Sequence, residues 1–149
     1  DQWSQCIANQ VMTLKSHGID VFYIHGNRDF LLGQQFASLA GWTVLKEPKL
    51  IQLGSENILL VHGDRYCTKD KGHQLFRFLT RNPPFIKMFL QLPLSYRQNL
   101  VNKVRERSMG NSSKTLEQMD VVPESVIKHM LKYQVSTLIH GHTHKPGLT

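Results

Sequence analysis

Apolar residues recur at Trp3, Ile7, Val11 and Leu14, close to a helical period, and Gly18 follows where a helix would end. The continuous run "VFYI" (21–24) predicts a buried strand, Phe30 to Leu39 a short helix stopped near Gly41, and "WTVL" (42–45) a second strand. "KLIQL" and "NILLVH" predict two strands of a hairpin joined through "GSE". From Tyr66 to about Val121 the pattern turns helical, with breaks at "NPP", "LPL" and "GNSS". Pro123 then opens a helix through Tyr133, and "VSTLIH" (135–140) reads as a last buried strand. Helices interleaved with strands and a hairpin predict an α/β fold. Its core is expected at 1–65 and 122–149, interrupted by a helical cap insertion at 66–121.

Composition changes this picture little, since 149 residues with 40% hydrophobic and 19% charged side chains suffice for a domain with a real core. No apolar run approaches the roughly 20 residues of a membrane span, and "DQWSQCIANQ" lacks the pattern of a signal peptide. A cytoplasmic or peripheral membrane protein is expected. Cys6 and Cys67 match no metal or redox spacing and read as ordinary reduced thiols. The first residues read as the inside of a helix and the last follow a dense His cluster, so both ends are expected to be cuts in a longer protein. Charge is more informative. Between Arg65 and Lys114 stand 11 Lys or Arg against Asp70 and Glu106, a local +9, whereas the remainder carries −2. That field favours anionic partners: phosphates, nucleic acid or an acidic lipid surface.

One grammar recurs three times: "YIHGNRD" (23–29), "LLVHGD" (59–64) and "LIHGHTH" (138–144) each place a His and a Gly after an apolar run. Loops at the C-terminal ends of strands converge to form ligand sites in α/β sheets. Asn, Asp and imidazole donors there suit Mn, Fe, Co or Zn better than Ca or a thiolate site. The glycines are expected to let the backbone turn and aim the rings inward. His142 and His144 would point the same way on an extended backbone, or splay toward two metals if a turn follows the strand. Taken singly, "HGN" and "HGD" are turns. His25 and His140 read as hydrogen-bonded structural residues, Asp29 and Asp64 as loop residues that orient neighbours, and His17, His73 and His129 as surface residues.

The blocks "GNRD", "VHGD" and "GHTH" resemble the last three signature blocks of the calcineurin-like metallophosphoesterases. The first two, D-x-H and G-D, would lie upstream of Asp1. The resemblance narrows, through "IHGNRDFLLG" (24–33), "HGDRYCTKD" (62–70), "NSSKT" (111–115) and "LIHGHTHKPG" (138–147), to the bacterial family of pyrophosphatases acting on UDP-2,3-diacylglucosamine in lipid A synthesis. It implies a calcineurin-like β-sandwich flanked by helices, with a helical cap. Its implied reaction is water attack on the α-phosphorus, giving UMP and 2,3-diacylglucosamine 1-phosphate at a site of two Mn2+ ions. Asn27, His62 and His142 would be ligands of the second metal and His144 of the first. Arg28 would contact phosphate; Asp70, Ser108, Asn111 and Lys114 would bind the glucosamine and phosphate part of the substrate. Asn27, Arg28 and His142 would carry the catalysis. The implied location is the cytoplasmic face of the inner membrane, peripherally attached to an anionic surface, with neither nucleic acid nor a protein partner implied.

The cap bears on the lipid independently. Phe85, Met88, Phe89 and Leu92 are spaced as one apolar helix face, with Lys87 beside it and Arg81 and Arg97 flanking, suited to acyl chains or to packing within the cap. Two rival functions stand beside this one. A phosphoesterase for nucleotides or nucleic acid would need exposed aromatics for stacking, and an inert basic binding module would have no need of the metal-binding residues that are present.

Overall fold

The computed structural model describes residues 2–109, 120–144 and 146–147, the side chains of 107–109 excepted. They fall into two units, one within Asp1–His62 and Lys128–His142, the other within Gly63–Ile127 and Thr143–Thr149.

In the first unit α1 (Gln2–Ser16) ends as its spacing predicts, with Gly18 in the left-handed region (φ 79) and its N–H donating to the Lys15 carbonyl at 3.0 Å. Helix α2 (Gln34–Ala40) is shorter than expected. Phe30 to Leu32 form a turn closed by the Leu32 N–H on the Asp29 carbonyl at 2.9 Å, and extended Gly33 caps the helix that follows. Gly41 stops α2 at φ 72, and a Cβ there would meet Met12 Sδ of α1 at 2.9 Å. Glycine is needed twice over at that position, for its backbone and for its size. Ala8, Ala37 and Ala40, all fully buried, let the two helices approach.

Strand β1 (Phe22–Ile24) pairs in parallel with β2 (Thr43–Leu45), Tyr23 opposite Val44. Strands β3 (Lys49–Leu53) and β4 (Glu56–Val61) form the expected antiparallel hairpin, Ile51 opposite Ile58. On its other side β4 pairs in parallel with β5 (Thr137–His140), Val61 opposite His140. Central β4 supplies the buried Ile58, Leu59 and Val61. The expectation of buried strands at "VFYI" and "VSTLIH" needs correction: Phe22 and Ile139 are exposed. Among the described residues β1 and β5 each have a strand on one side only.

The second unit is helical. After a 3-10 turn (Asp64–Tyr66) come α3 (Lys71–Thr80), α4 (Pro83–Gln91) and α5 (Leu94–Met109); α6 (Pro123–Tyr133) contains the division between the units and leads to β5. The breaks have local causes. Asn82 accepts from the Phe85 N–H at 3.3 Å and caps a helix with Pro at its first positions, while Leu92 turns extended before Pro93.

Helix α3 is turned with its polar side inward. Arg77 Nε donates to Asp64 Oδ1 at 3.1 Å, Arg81 Nη2 lies 3.6 Å from Oδ2, and Gln74 donates to the carbonyls of Asp64 and Cys67 at 2.9 and 3.1 Å. These three residues share one helix face. Asp64 is fully buried among them, whereas Leu75, Phe78 (67% exposed) and Leu79 lie outward. The face expected on α4 is divided. Phe89 is buried with Phe85 stacked on it (centroids 6.2 Å, 18°), Leu92 stands outside the helix as its cap, and Met88 is 58% exposed.

Cys67 is buried beside Asp64, and its thiol is pushed up from 9.0 to about 11, by burial first and then by Asp64, Asp120 and Asp70. Below pH 9 the thiol is neutral whether the chain is folded or unfolded. Between pH 9 and 11 only the unfolded chain ionises there, so stability is lost as pH rises through that window. Two results are expected: an alkylating reagent labels exposed Cys6 in the native protein and Cys67 only after denaturation, and Cys67→Ala flattens the fall of stability above pH 9. Labelling of both thiols at equal rates would contradict this.

Candidate functional site

The β4–β5 register builds the site. Val61 faces His140, and the ladder runs one step beyond both strands, the Gly141 N–H donating to the His62 carbonyl at 2.9 Å. His62 and His142 thereby stand edge to face, ring centroids 5.2 Å apart at 73°. His62 Nε2 is buried and has no hydrogen-bond partner among the described residues.

Gly26 lies against the same ring. A Cβ there would meet Asp29 Oδ1 at 2.9 Å and His62 Cε1 and Nε2 at 3.1 and 3.4 Å. Its φ is not positive, so the expected reason for this glycine, a tight turn, gives way to another: it leaves room. Only Gly63 of the three motif glycines is left-handed, at φ 113. In the last motif the positive φ falls on the histidines themselves, His142 at 74° and His144 at 56°. The strand ends at His140, so "GHTH" is not an extended run and the arrangement expected of an extended backbone does not follow there. Left-handed non-glycine residues are costly and cluster at functional sites.

Asn27 follows Gly26, half-buried, and Arg28 is exposed beside it. Asp70 and exposed His144 belong to the other unit, where Asp70 is buried and caps α3 by accepting from the His73 N–H at 2.9 Å. Ser108 lies in the last turn of α5; its side chain, and Asn111 and Lys114 altogether, fall outside the described residues.

The structural readings of two histidines hold. A His25 ring nitrogen bonds the Leu32 carbonyl at 2.7 Å, and His140 Nδ1 lies 2.9 Å from the Gly141 carbonyl. His17 is exposed, but His73 and His129 are half-buried, His129 edge-on to Tyr133 at 5.0 Å. Asp64 orients its neighbours as expected, through α3. Sequence reasoning missed its two arginines, for which the signal was a pair of cations on one face of a helix following a buried acid.

Among the described residues no three His, Cys, Asp or Glu side chains cluster as a metal site. The residues nonetheless fit a divalent ion. A buried imidazole nitrogen without a partner and a second imidazole against it are donors of intermediate hardness, and Asn27 follows the glycine that lies against the first ring.

The chain belongs to the calcineurin-like phosphoesterase family, whose profile matches residues 1–146, and phosphoesterases of this family are metal-dependent. Among its relatives, a UDP-2,3-diacylglucosamine hydrolase of Pseudomonas putida is 44% identical over 147 residues, covering 98% of this chain and 61% of the relative. One of the same name from Salmonella arizonae is 43% identical over 143 residues, covering 95% and 60%. The chain thus spans about three fifths of the length of the curated relatives it matches.

Proposed function

We propose that this chain carries part of the active site of a hydrolase that cleaves the pyrophosphate bond of UDP-2,3-diacylglucosamine, releasing UMP and 2,3-diacylglucosamine 1-phosphate. The observation that carries the reading is the His62–His142 pair at the end of two hydrogen-bonded strands, with His62 Nε2 buried and unbonded. The relatives' names supply the substrate.

In this reading Asn27, His62 and His142 hold one Mn2+ and His144 serves a second. Such an ion, when bound, supplies Lewis-acid stabilisation and a hydroxide at neutral pH. The chain's own residues do the rest. The fork of Arg28 suits two phosphoryl oxygens and offsets charge as it builds on them. In this reading His142, held in a left-handed backbone at φ 74, also meets the phosphate. Asp70, Ser108, Asn111 and Lys114 take the glucosamine and phosphate part, within a cap of residues 66–121. The outward Leu75, Phe78 and Leu79 of α3, with Met88, Leu94 and Tyr96, give that basic cap an apolar surface for acyl chains. The same surface supports peripheral attachment to an anionic membrane on the cytoplasmic side.

The test is Mn2+-dependent release of UMP from UDP-2,3-diacylglucosamine by the full-length protein. Release is expected. Cleavage of nucleotides or nucleic acid in its place would keep the family and remove the lipid substrate.

A further inference from the structure

Helix α3 begins at a residue that the proposed function gives to the substrate. Asp70 is its N-cap: the side chain accepts from the His73 N–H at 2.9 Å, and the backbone at that point is not helical (φ −86, ψ 84). The direction of a carboxylate in such a place depends on how the first turn of the helix is tied to the chain before it. One side chain makes that tie.

Half-buried Gln74 bonds on both sides of Asp70. Its backbone N–H donates to the Asp70 carbonyl at 3.0 Å, and its carboxamide nitrogen reaches back to the carbonyls of Asp64 and Cys67 at 2.9 and 3.1 Å. The Cys67 carbonyl also accepts from the Asp70 N–H at 3.2 Å, so a closed ring of hydrogen bonds runs from Cys67 through the Asp70 backbone to Gln74 and back. Both carbonyls keep a backbone donor without the carboxamide, since that of Asp64 accepts from the Cys67 N–H at 3.4 Å. Removing the carboxamide therefore strands no acceptor. With Arg77 and Arg81 already holding α3 on Asp64, what Gln74 adds is the placement of Asp70 against the turn that precedes it.

We propose that Gln74 is a positioning residue for Asp70: by clamping residues 64–67 to the first turn of α3 it sets the carboxylate to accept hydrogen bonds from the glucosamine part of the substrate. This rests on the reading of Asp70 as a substrate-binding residue. Gln74 itself need not touch the substrate.

The experiment is steady-state release of UMP from UDP-2,3-diacylglucosamine by the full-length protein and by its Gln74→Met, Asp70→Ala and double variants, with a urea denaturation curve to establish that each is folded. Methionine keeps the length of the side chain and has no donor. Gln74→Met is expected to raise KM about 3- to 10-fold, the worth of a hydrogen bond, with kcat near that of the wild type. Asp70→Ala is expected to raise KM about 10-fold or more, as loss of a charged acceptor does. On the Asp70→Ala background Gln74→Met is expected to change KM no further, because a residue that acts through another then has nothing to act on. An unchanged KM for Gln74→Met, or a rise that repeats in full on the Asp70→Ala background, would overturn the inference. Should Gln74→Met fail to fold, Gln74→Asn, whose shorter amide does not span both carbonyls, takes its place under the same criteria. If Asp70→Ala leaves KM unchanged, the reading of Asp70 falls and this inference with it, while the proposed reaction stands; if the wild type releases no UMP, the proposed function and this inference fall together.

Discussion

Asp64→Ala is expected to lower the stability of the chain by about 3–5 kcal/mol, the usual cost of removing one partner from a buried ion pair. Asp64 is fully buried, and Arg77 and Arg81 converge on it from successive turns of α3. With the carboxylate gone, two guanidinium groups are left half-buried without their counter-charge. Urea denaturation of the variant beside the wild type measures the loss. Replacing the whole cluster, Asp64→Leu with Arg77→Met and Arg81→Met, is expected to recover part of the stability, because it leaves no charge stranded. A midpoint for Asp64→Ala within experimental error of the wild type would show that the cluster does not hold the turn to the helix.

The largest effect on activity is expected at His142. In the full-length protein His142→Ala should reduce kcat/KM for the proposed substrate by roughly 10³-fold or more, as removal of a metal-holding and charge-stabilising group does. Comparison with His142→Gly separates the side chain from the backbone. At φ 74 glycine is unstrained and alanine is not, so the glycine variant should be more stable than the alanine variant by about 1 kcal/mol, and equally inactive. Steady-state assays and thermal melting read the two effects apart. An active His142→Gly variant would remove the residue from the catalytic centre.

Much of the fold was legible because local chemistry agreed with it. Gly18 and Gly41 end α1 and α2, Gly54 and Ser55 join β3 to β4, and Asn82 with Pro83 starts α4, each as the residue types require. The misses arose where a tertiary fact overrode a local one. Phe30 to Leu32 have helical spacing, yet Gly33 in an extended conformation delays the helix. The runs at β1 and β5 are apolar enough for buried strands, but burial depends on what packs against the faces of a sheet, which a strand's own residues do not record. At the site, the pairing of His62 with His142 was foreshadowed by the recurring His-Gly motif. The space at Gly26 and the left-handed histidines were not, since both depend on side chains and strand ends that meet only in three dimensions.

The inverted orientation of α3 divides the demands placed on a single helix. The residues that fasten it, Gln74, Arg77 and Arg81, are the polar ones, so the chemistry of folding limits which charges can change there. Among the described residues the apolar ones opposite them are scarcely used for packing: Leu75 and Phe78 are exposed, and answer instead to whatever lies against the outer surface. In such a helix, evolutionary drift on the greasy side tracks changes in what the protein touches, while constancy on the charged side tracks the need to fold.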